Sequence, residues 1–170
     1  MNFIFEQSFL KTLDCGLIKA SFLDVLRWNK HVGLFVIRFI ETLPEPSYTI
    51  DIKVHMLMPG QFPCIPGWHL DLVPRGSDGK QMMDRIDASQ KMYLLVSGPP
   101  ITEFRDGRKI VPGEFTEFTQ LDEHRGTVST EHCWRMFIRI APSSIYPKNE
   151  PEMTSRRHCQ VYLDAETFKW

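Results

Sequence analysis

The stretch SYTIDIKVHMLM, residues 47–58, constrains the fold of this 170-residue chain more than any other. Tyr48, Ile50, Ile52, Val54, Met56 and Met58 alternate with Thr49, Asp51, Lys53 and His55. Successive side chains of a strand point to opposite faces, so the alternation predicts a strand with an apolar face toward a core and a polar face toward water. His55 is expected to meet solvent. The following residues 59–74 are rich in proline and glycine and exclude a helix, because each proline fixes φ and lacks an N–H donor.

The rest of the chain fits a β-rich architecture with a helical start. Across residues 6–29, Phe9, Leu10, Leu13, Leu17, Ile18, Phe22, Leu23, Val25, Leu26 and Trp28 recur at three-to-four spacing, predicting two short amphipathic helices separated near Gly16. GLFVIRFI, residues 33–40, reads as a buried strand, and KMYLLVSG, residues 91–98, as another. PITEFRDGRKIVPG predicts a hairpin turning at Asp106-Gly107. EFTEFT carries strand formers, RGTVSTEHCWRMFIRIA supplies two strands around residues 131–133, and RRHCQVYLDAE a last one. APSSIYPKNEPEMTSRR reads as an irregular, partly mobile connection. About eight short strands after a helical start define a mainly β chain with N-terminal helices, an antiparallel sandwich or jelly roll. The expected organisation is one domain, with residues 1–32 as helical support and residues 33–170 as the β core.

Composition narrows the function. With 42% hydrophobic and 12% aromatic residues, the chain can bury one good core. The 20 basic and 21 acidic residues nearly cancel, so a nucleic-acid partner is less favoured than a small molecule or peptide, although Arg105, Arg108 and Lys109 can form a local anion contact. Cys15, Cys64, Cys133 and Cys159 form no CxxC pair and read as reduced thiols, which suggests the cytoplasm. No basic leader precedes an apolar segment, and no apolar run approaches the roughly 20 residues that span a bilayer. An unprocessed, soluble protein without a membrane partner is expected.

The chemistry concentrates in IPGWHLDLVPR, residues 65–75. His69 and Asp71, two apart on an extended segment, project to one face. An imidazole and a carboxylate supply two of the three ligands of a 2-His-1-carboxylate non-haem iron site, and a distant strand can bring the second histidine. His124 is the candidate, with His132 its rival. Arg135 follows His124 after ten intervening residues, and Arg139 shares its strand face.

His69-x-Asp71, His124 and Arg135 resemble the H-x-D…H-x10-R pattern of the Fe(II)/2-oxoglutarate-dependent dioxygenases. Trp68 before the His-x-Asp is similar to the phytanoyl-CoA hydroxylase branch, and a hydroxyl-bearing residue some two dozen positions later, here Ser97 with Thr102 as the alternative, is similar to the taurine dioxygenase group. The resemblance covers about residues 50–141. It implies a double-stranded β-helix (jelly-roll) core, iron held by His69, Asp71 and His124, and 2-oxoglutarate anchored by Arg135, with Arg139 as the rival anchor. Guanidinium suits that role because it forms a bidentate fork with a carboxylate. Tyr93 is a further candidate contact to the co-substrate. The implied reaction uses one O2 in decarboxylating 2-oxoglutarate to succinate and CO2 and in hydroxylating a small molecule, peptide or nucleobase. Phe137 departs from the pattern, standing two residues after Arg135 where a hydroxyl residue commonly contacts 2-oxoglutarate.

Other residues carry plainer expectations. Trp134, Met136, Ile138 and Ile140 should be core, Cys64 and Cys133 small buried residues, Trp68 a packing residue, and His31 and His158 surface residues. The loop at residues 75–90, with Met82 and Met83, is positioned to act as a flap over the substrate. Two other functions compete: a cupin-like metalloenzyme, disfavoured by the lack of an H-x-H pair, and a non-catalytic jelly-roll structural or binding module. Dependence on iron and on 2-oxoglutarate separates the three.

Overall fold

A computed structural model describes residues 4–13, 16–146 and 161–163. In chain order it contains α1 (Gln7–Thr12), β1 (Leu17–Ala20), α2 (Phe22–Trp28), α3 (Lys30–Ile40), β2 (Tyr48–Leu57), β3 (Gln61–Phe62), β4 (Met92–Ser97), β5 (Thr102–Phe104), β6 (Thr116–Phe118), β7 (His124–Gly126), β8 (Cys133–Pro142) and β9 (Tyr162–Leu163). The protein is mainly β with a few helices. Its principal sheet is antiparallel, in the order β1-β2-β8-β4-β6. β5 pairs with β7, and β3 with β9.

The backbone of the molecule is the ten-residue ladder between β2 and β8, running from Tyr48 opposite Pro142 to Leu57 opposite Cys133. Cross-strand partners share a face, so the register sorts both strands into two sides. Ile50, Ile52 and Val54 lie with Ile140, Ile138 and Met136, and against them pack Val25, Val32, Phe35 and Val36 of the helices. On the other side Asp51, Lys53 and His55 lie opposite Arg139, Phe137 and Arg135. This second face is interior as well: His55 is 4% exposed and not at the solvent surface expected from the alternation. Leu94 and Val96 of β4 lie on it and join Phe104 and Phe118 in a second apolar cluster, so segments beyond the sheet close over the polar residues.

Two segments depart from the sequence expectation. Residues 33–40 belong to helix α3 and not to a strand. Asn29 caps it by accepting from the backbone of His31 and Val32, and Val32, Gly33, Phe35 and Val36 form its buried stripe. Gly33 lets α3 approach α2, since a Cβ there would stand 2.6 Å from Leu26 Cα. Residues 17–20, read as helix, form an edge strand. Gly16 lies so close to the carbonyl of Ile52 that only glycine fits, which brings Leu17 opposite Ile52. α2 does form where expected, held by a capping box between Ser21 and Asp24.

The turn at Asp106-Gly107 is present, with Gly107 at φ 83 and its N–H donating to Phe104 O. The expected hairpin is not: β5 pairs with β7, placing Glu103 opposite Arg125 and Phe104 opposite His124. Tyr162 and Leu163 form a strand within the last predicted one. Apart from Val161, the rest of that segment, with His158 and Cys159, lies outside the described residues, as do Cys15 and residues 147–157 of the predicted irregular connection.

Candidate metal centre

His69 and His124 meet through the backbone. Each N–H donates to the carbonyl of the other at 3.0 Å, an antiparallel hydrogen-bonded pair that sets both side chains on one face. Their ring centroids are 4.5 Å apart. Asp71 follows two residues after His69, where an extended chain returns to the same side. Leu72 then turns the chain at φ 54, and Gln120 Nε2 holds its carbonyl at 2.5 Å. One donor atom from each of His69, Asp71 and His124 lies within 4.8 Å of the others, a group that can hold a metal ion.

The surroundings prepare the donors. Nδ1 of His69 lies 2.8 Å from Gly67 O, and Nδ1 of His124 lies 3.1 Å from Asp122 O. A carbonyl only accepts, so each Nδ1 carries a proton and Nε2 is the atom each ring can offer a ligand, the arrangement by which outer partners orient metal-binding histidines. Burial holds the His69 pKa below its ordinary value. Burial acts the same way on His124, but Asp71, 3.5 Å from Nε2, outweighs it and raises the pKa. Burial disfavours the Asp71 carboxylate, yet Arg139 at 2.5 Å, with His124, keeps it ionised well below the usual range. Two imidazoles, each with Nδ1 turned to a backbone carbonyl, and an ionised carboxylate fit a divalent transition-metal ion, which would take the place of a proton at His124 Nε2 beside Asp71.

The two arginines separate by their partners. Arg139 lies between two carboxylates, with Nη1 on Asp71 Oδ2 and Nη2 on Asp51 Oδ2, both at 2.5 Å. Asp51 is 5% exposed and also accepts from Tyr146 Oη at 2.6 Å and from the Lys19 N–H at 2.8 Å. Burial opposes its charge, but Arg139 and these donors hold its pKa below the usual value. Arg135 is 1% exposed and donates from Nε to Pro99 O at 3.2 Å and from Nη2 to Thr102 Oγ1 at 2.9 Å. No carboxylate of the described residues pairs with it, and burial draws its pKa down to about 10. The Cys64 thiol feels the charges of Arg135, Asp71 and Lys53, which ties them to one interior; burial raises its pKa.

The structure therefore brings together His69, Asp71 and His124, and places Arg135 with Thr102. It does not bring Ser97 or Tyr93 to them. Both lie on the opposite face of β4, where Ser97 Oγ accepts from Phe5 N and Tyr93 packs edge-on against Phe39. The reason is parity: Tyr93 and Ser97 align with Ile140 and Met136, not with Arg139 and Arg135. His132 and His31 are exposed and apart from the cluster. Trp68 packs on the guanidinium of Arg125, 4.5 Å from the ring centroid. Cys133 is buried and Cys64 partly so. The partners Asp51, Tyr146 and Lys53 were not anticipated. The signal for Asp51 was the matched spacing of Asp51-x-Lys53-x-His55 and Arg135-x-Phe137-x-Arg139, charged residues at alternate positions on two strands.

No family model, curated protein or solved structure matches this chain. Among the described residues no helix is long and apolar enough to cross a membrane.

Proposed function

We propose that this chain is an Fe(II)/2-oxoglutarate-dependent dioxygenase on a double-stranded β-helix (jelly-roll) core. His69, Asp71 and His124 would hold the iron, and Arg135 would anchor 2-oxoglutarate. The observation that carries this function is a two-histidine, one-carboxylate donor set sharing one interior with a buried arginine that no carboxylate of the described residues neutralises. A buried cation is costly unless paired, so a site that keeps one is built for an anion that arrives with a ligand. The jelly-roll assignment draws support from the long sheet packed against the β5–β7 layer, with the polar residues between them.

The bound iron would supply open coordination positions and oxidative chemistry. The chain's own residues divide the remaining work. Arg135 presents a fork suited to a carboxylate, with Thr102 Oγ1 fixing one arm. Arg139 orients Asp71 and is itself held by Asp51, so it is committed to the metal ligand and not to a co-substrate. Leu94, Val96 and Phe137 keep the interior apolar around these charges. A small molecule or peptide is the favoured prime substrate, because the near-zero net charge gives no general attraction for nucleic acid.

The test is conversion of 2-oxoglutarate and O2 to succinate and CO2 by the Fe(II)-reconstituted chain in aerated buffer, with Asp71→Ala and Arg135→Met in parallel. Wild type is expected to form succinate, and both variants to lose the activity by about 100-fold or more, the order reached when metal-site partners are removed. Metal binding without 2-oxoglutarate turnover points instead to a cupin-like enzyme. Loss of both points to a non-catalytic module.

A further inference from the structure

A groove of about 800 Å³, within the range of small-molecule sites, runs beside the His-x-Asp segment. One wall is Leu70, Leu72 and Val73, which bracket and follow Asp71 in the chain. The 75–90 loop also lines the groove, through Arg75, Arg85 and Gln90, as do Ile145 and Tyr146. The loop is ordered by its own backbone: Gly76 N donates to Lys80 O, and Met82 N to Pro74 O. None of His69, Asp71 and His124 lines the groove, which is linked to them by Leu70 and Leu72 on either side of Asp71 and by a relay of side chains. Tyr146 donates to the Asp51 oxygen that holds Arg139, and Arg139 holds Asp71.

The lining has a marked chemical character. Among the described residues Arg75 and Arg85 bring two guanidinium groups and Lys19 an ammonium over the Tyr146 ring, against one acid, Asp87, whose Oδ1 already accepts from the backbone and hydroxyl of Ser89. The chain as a whole carries a formal charge of −1, so this positive rim is local. Between the cations the surface is aliphatic, from Leu70, Leu72, Val73 and Ile145. Oxyanions meet guanidinium groups in charge-assisted bonds, while aliphatic surface favours an apolar body.

The geometry points to this groove as the site of the prime substrate, a small molecule with an oxyanion head, carboxylate or phosphate, on an aliphatic body. The assignment of the ligand as substrate rests on the dioxygenase function proposed above. The oxyanion head seats on Arg75 and Arg85, the aliphatic body lies along Leu72 and Ile145, and the 75–90 loop lines the groove.

The experiment uses hexanoate, hexyl phosphate and neutral hexan-1-ol as probes, followed by NMR shifts of the Leu72, Val73 and Ile145 methyl groups in the full chain without metal. At least one oxyanion probe is expected to bind tenfold or more tightly than hexan-1-ol, the preferred one identifying the head group. Arg85→Glu, at an exposed position, is expected to weaken it tenfold while leaving Mn(II) affinity unchanged. Equal binding of hexan-1-ol, or shifts elsewhere only, overturns the ligand class. Mn(II) is then added: binding at the centre is expected to speed relaxation of the bound probe's protons, and His69→Ala to abolish the effect. Mn(II) binding without relaxation overturns the placement of the substrate. Failure of wild type to bind Mn(II) overturns the metal centre and the substrate role with it, whereas the oxyanion preference is decided separately by the metal-free titration.

Discussion

Asp51→Asn tests whether the buried charge chain behind the metal ligand does what its geometry indicates. Asp51 Oδ2 accepts from Arg139 Nη2 at 2.5 Å, Arg139 Nε at 3.1 Å and Tyr146 Oη at 2.6 Å, while Oδ1 accepts from Lys19 N at 2.8 Å. Asparagine keeps the Oδ1 contact but turns an amide N–H₂ toward donors that need an acceptor. Removing one partner of a buried ion pair is worth about 3–5 kcal/mol. Arg139 retains Asp71, so the lower end applies, about 3 kcal/mol. For a chain of this size that is roughly 6–12 °C in Tm. Because folding depresses the Asp51 pKa, its stabilisation is complete above the unfolded value of about 3.9 and is lost as pH falls through the native value. The gap between wild type and variant is therefore expected at pH 7 and should close in acid. With Asp51 neutralised, Arg139 is free to turn fully onto Asp71 and compete with a metal, lowering Mn(II) affinity by about 10–100-fold. Urea unfolding followed by tryptophan fluorescence and calorimetric Mn(II) titration give the two readings. A stability change below about 0.5 kcal/mol at pH 7, in the range of ordinary surface substitutions, together with unchanged Mn(II) affinity, would refute the reasoning.

Other expectations follow from single contacts. Arg135→Met should leave stability within about 1 kcal/mol of wild type or raise it, since it removes a buried cation without a carboxylate partner, yet it should abolish 2-oxoglutarate binding; thermal unfolding and calorimetry separate the effects. Gly126→Ala puts a Cβ 2.7 Å from Cys64 O and 3.1 Å from its Sγ, so it should destabilise by about 1–3 kcal/mol in a urea titration and loosen the segment that carries His69. Ser97→Ala should lower stability by about 1 kcal/mol through loss of the bonds to Phe5, and leave 2-oxoglutarate binding unchanged when both are measured.

What could be read from sequence, and what could not, divides along physical lines. The alternation at Tyr48–Leu57 and the apolar positions Met136, Ile138 and Ile140 are local patterns, and they appear as β2 and β8. The two-residue spacing of His69 and Asp71 is local too, and the spacing from His124 to Arg135 singled out the remaining members. The apolar run at residues 33–40 has no decisive period, and its helix depends on the Asn29 cap and the contact of Gly33 with α2. β1 is short and is set by Gly16 lying on Ile52, a contact with a distant strand. Tyr93 and Ser97 were placed with the co-substrate because their strand was right and its register unknown; one residue of parity sends both to the helical side. His55 and Asp51 looked solvent-facing because polar alternation does not show that a second layer covers them. The choice between Arg135 and Arg139 likewise turns on partners, and Asp51 takes up Arg139.

The most direct measurement is anaerobic titration of the chain with Fe(II) and 2-oxoglutarate, read as the weak visible charge-transfer band of an open-position iron site chelated by the co-substrate. Wild type should develop the band at one equivalent of each, His69→Ala should show none, and Arg135→Met should require far more 2-oxoglutarate. A wild-type chain that shows no band, or a band indifferent to His69, contradicts the assignment of this centre.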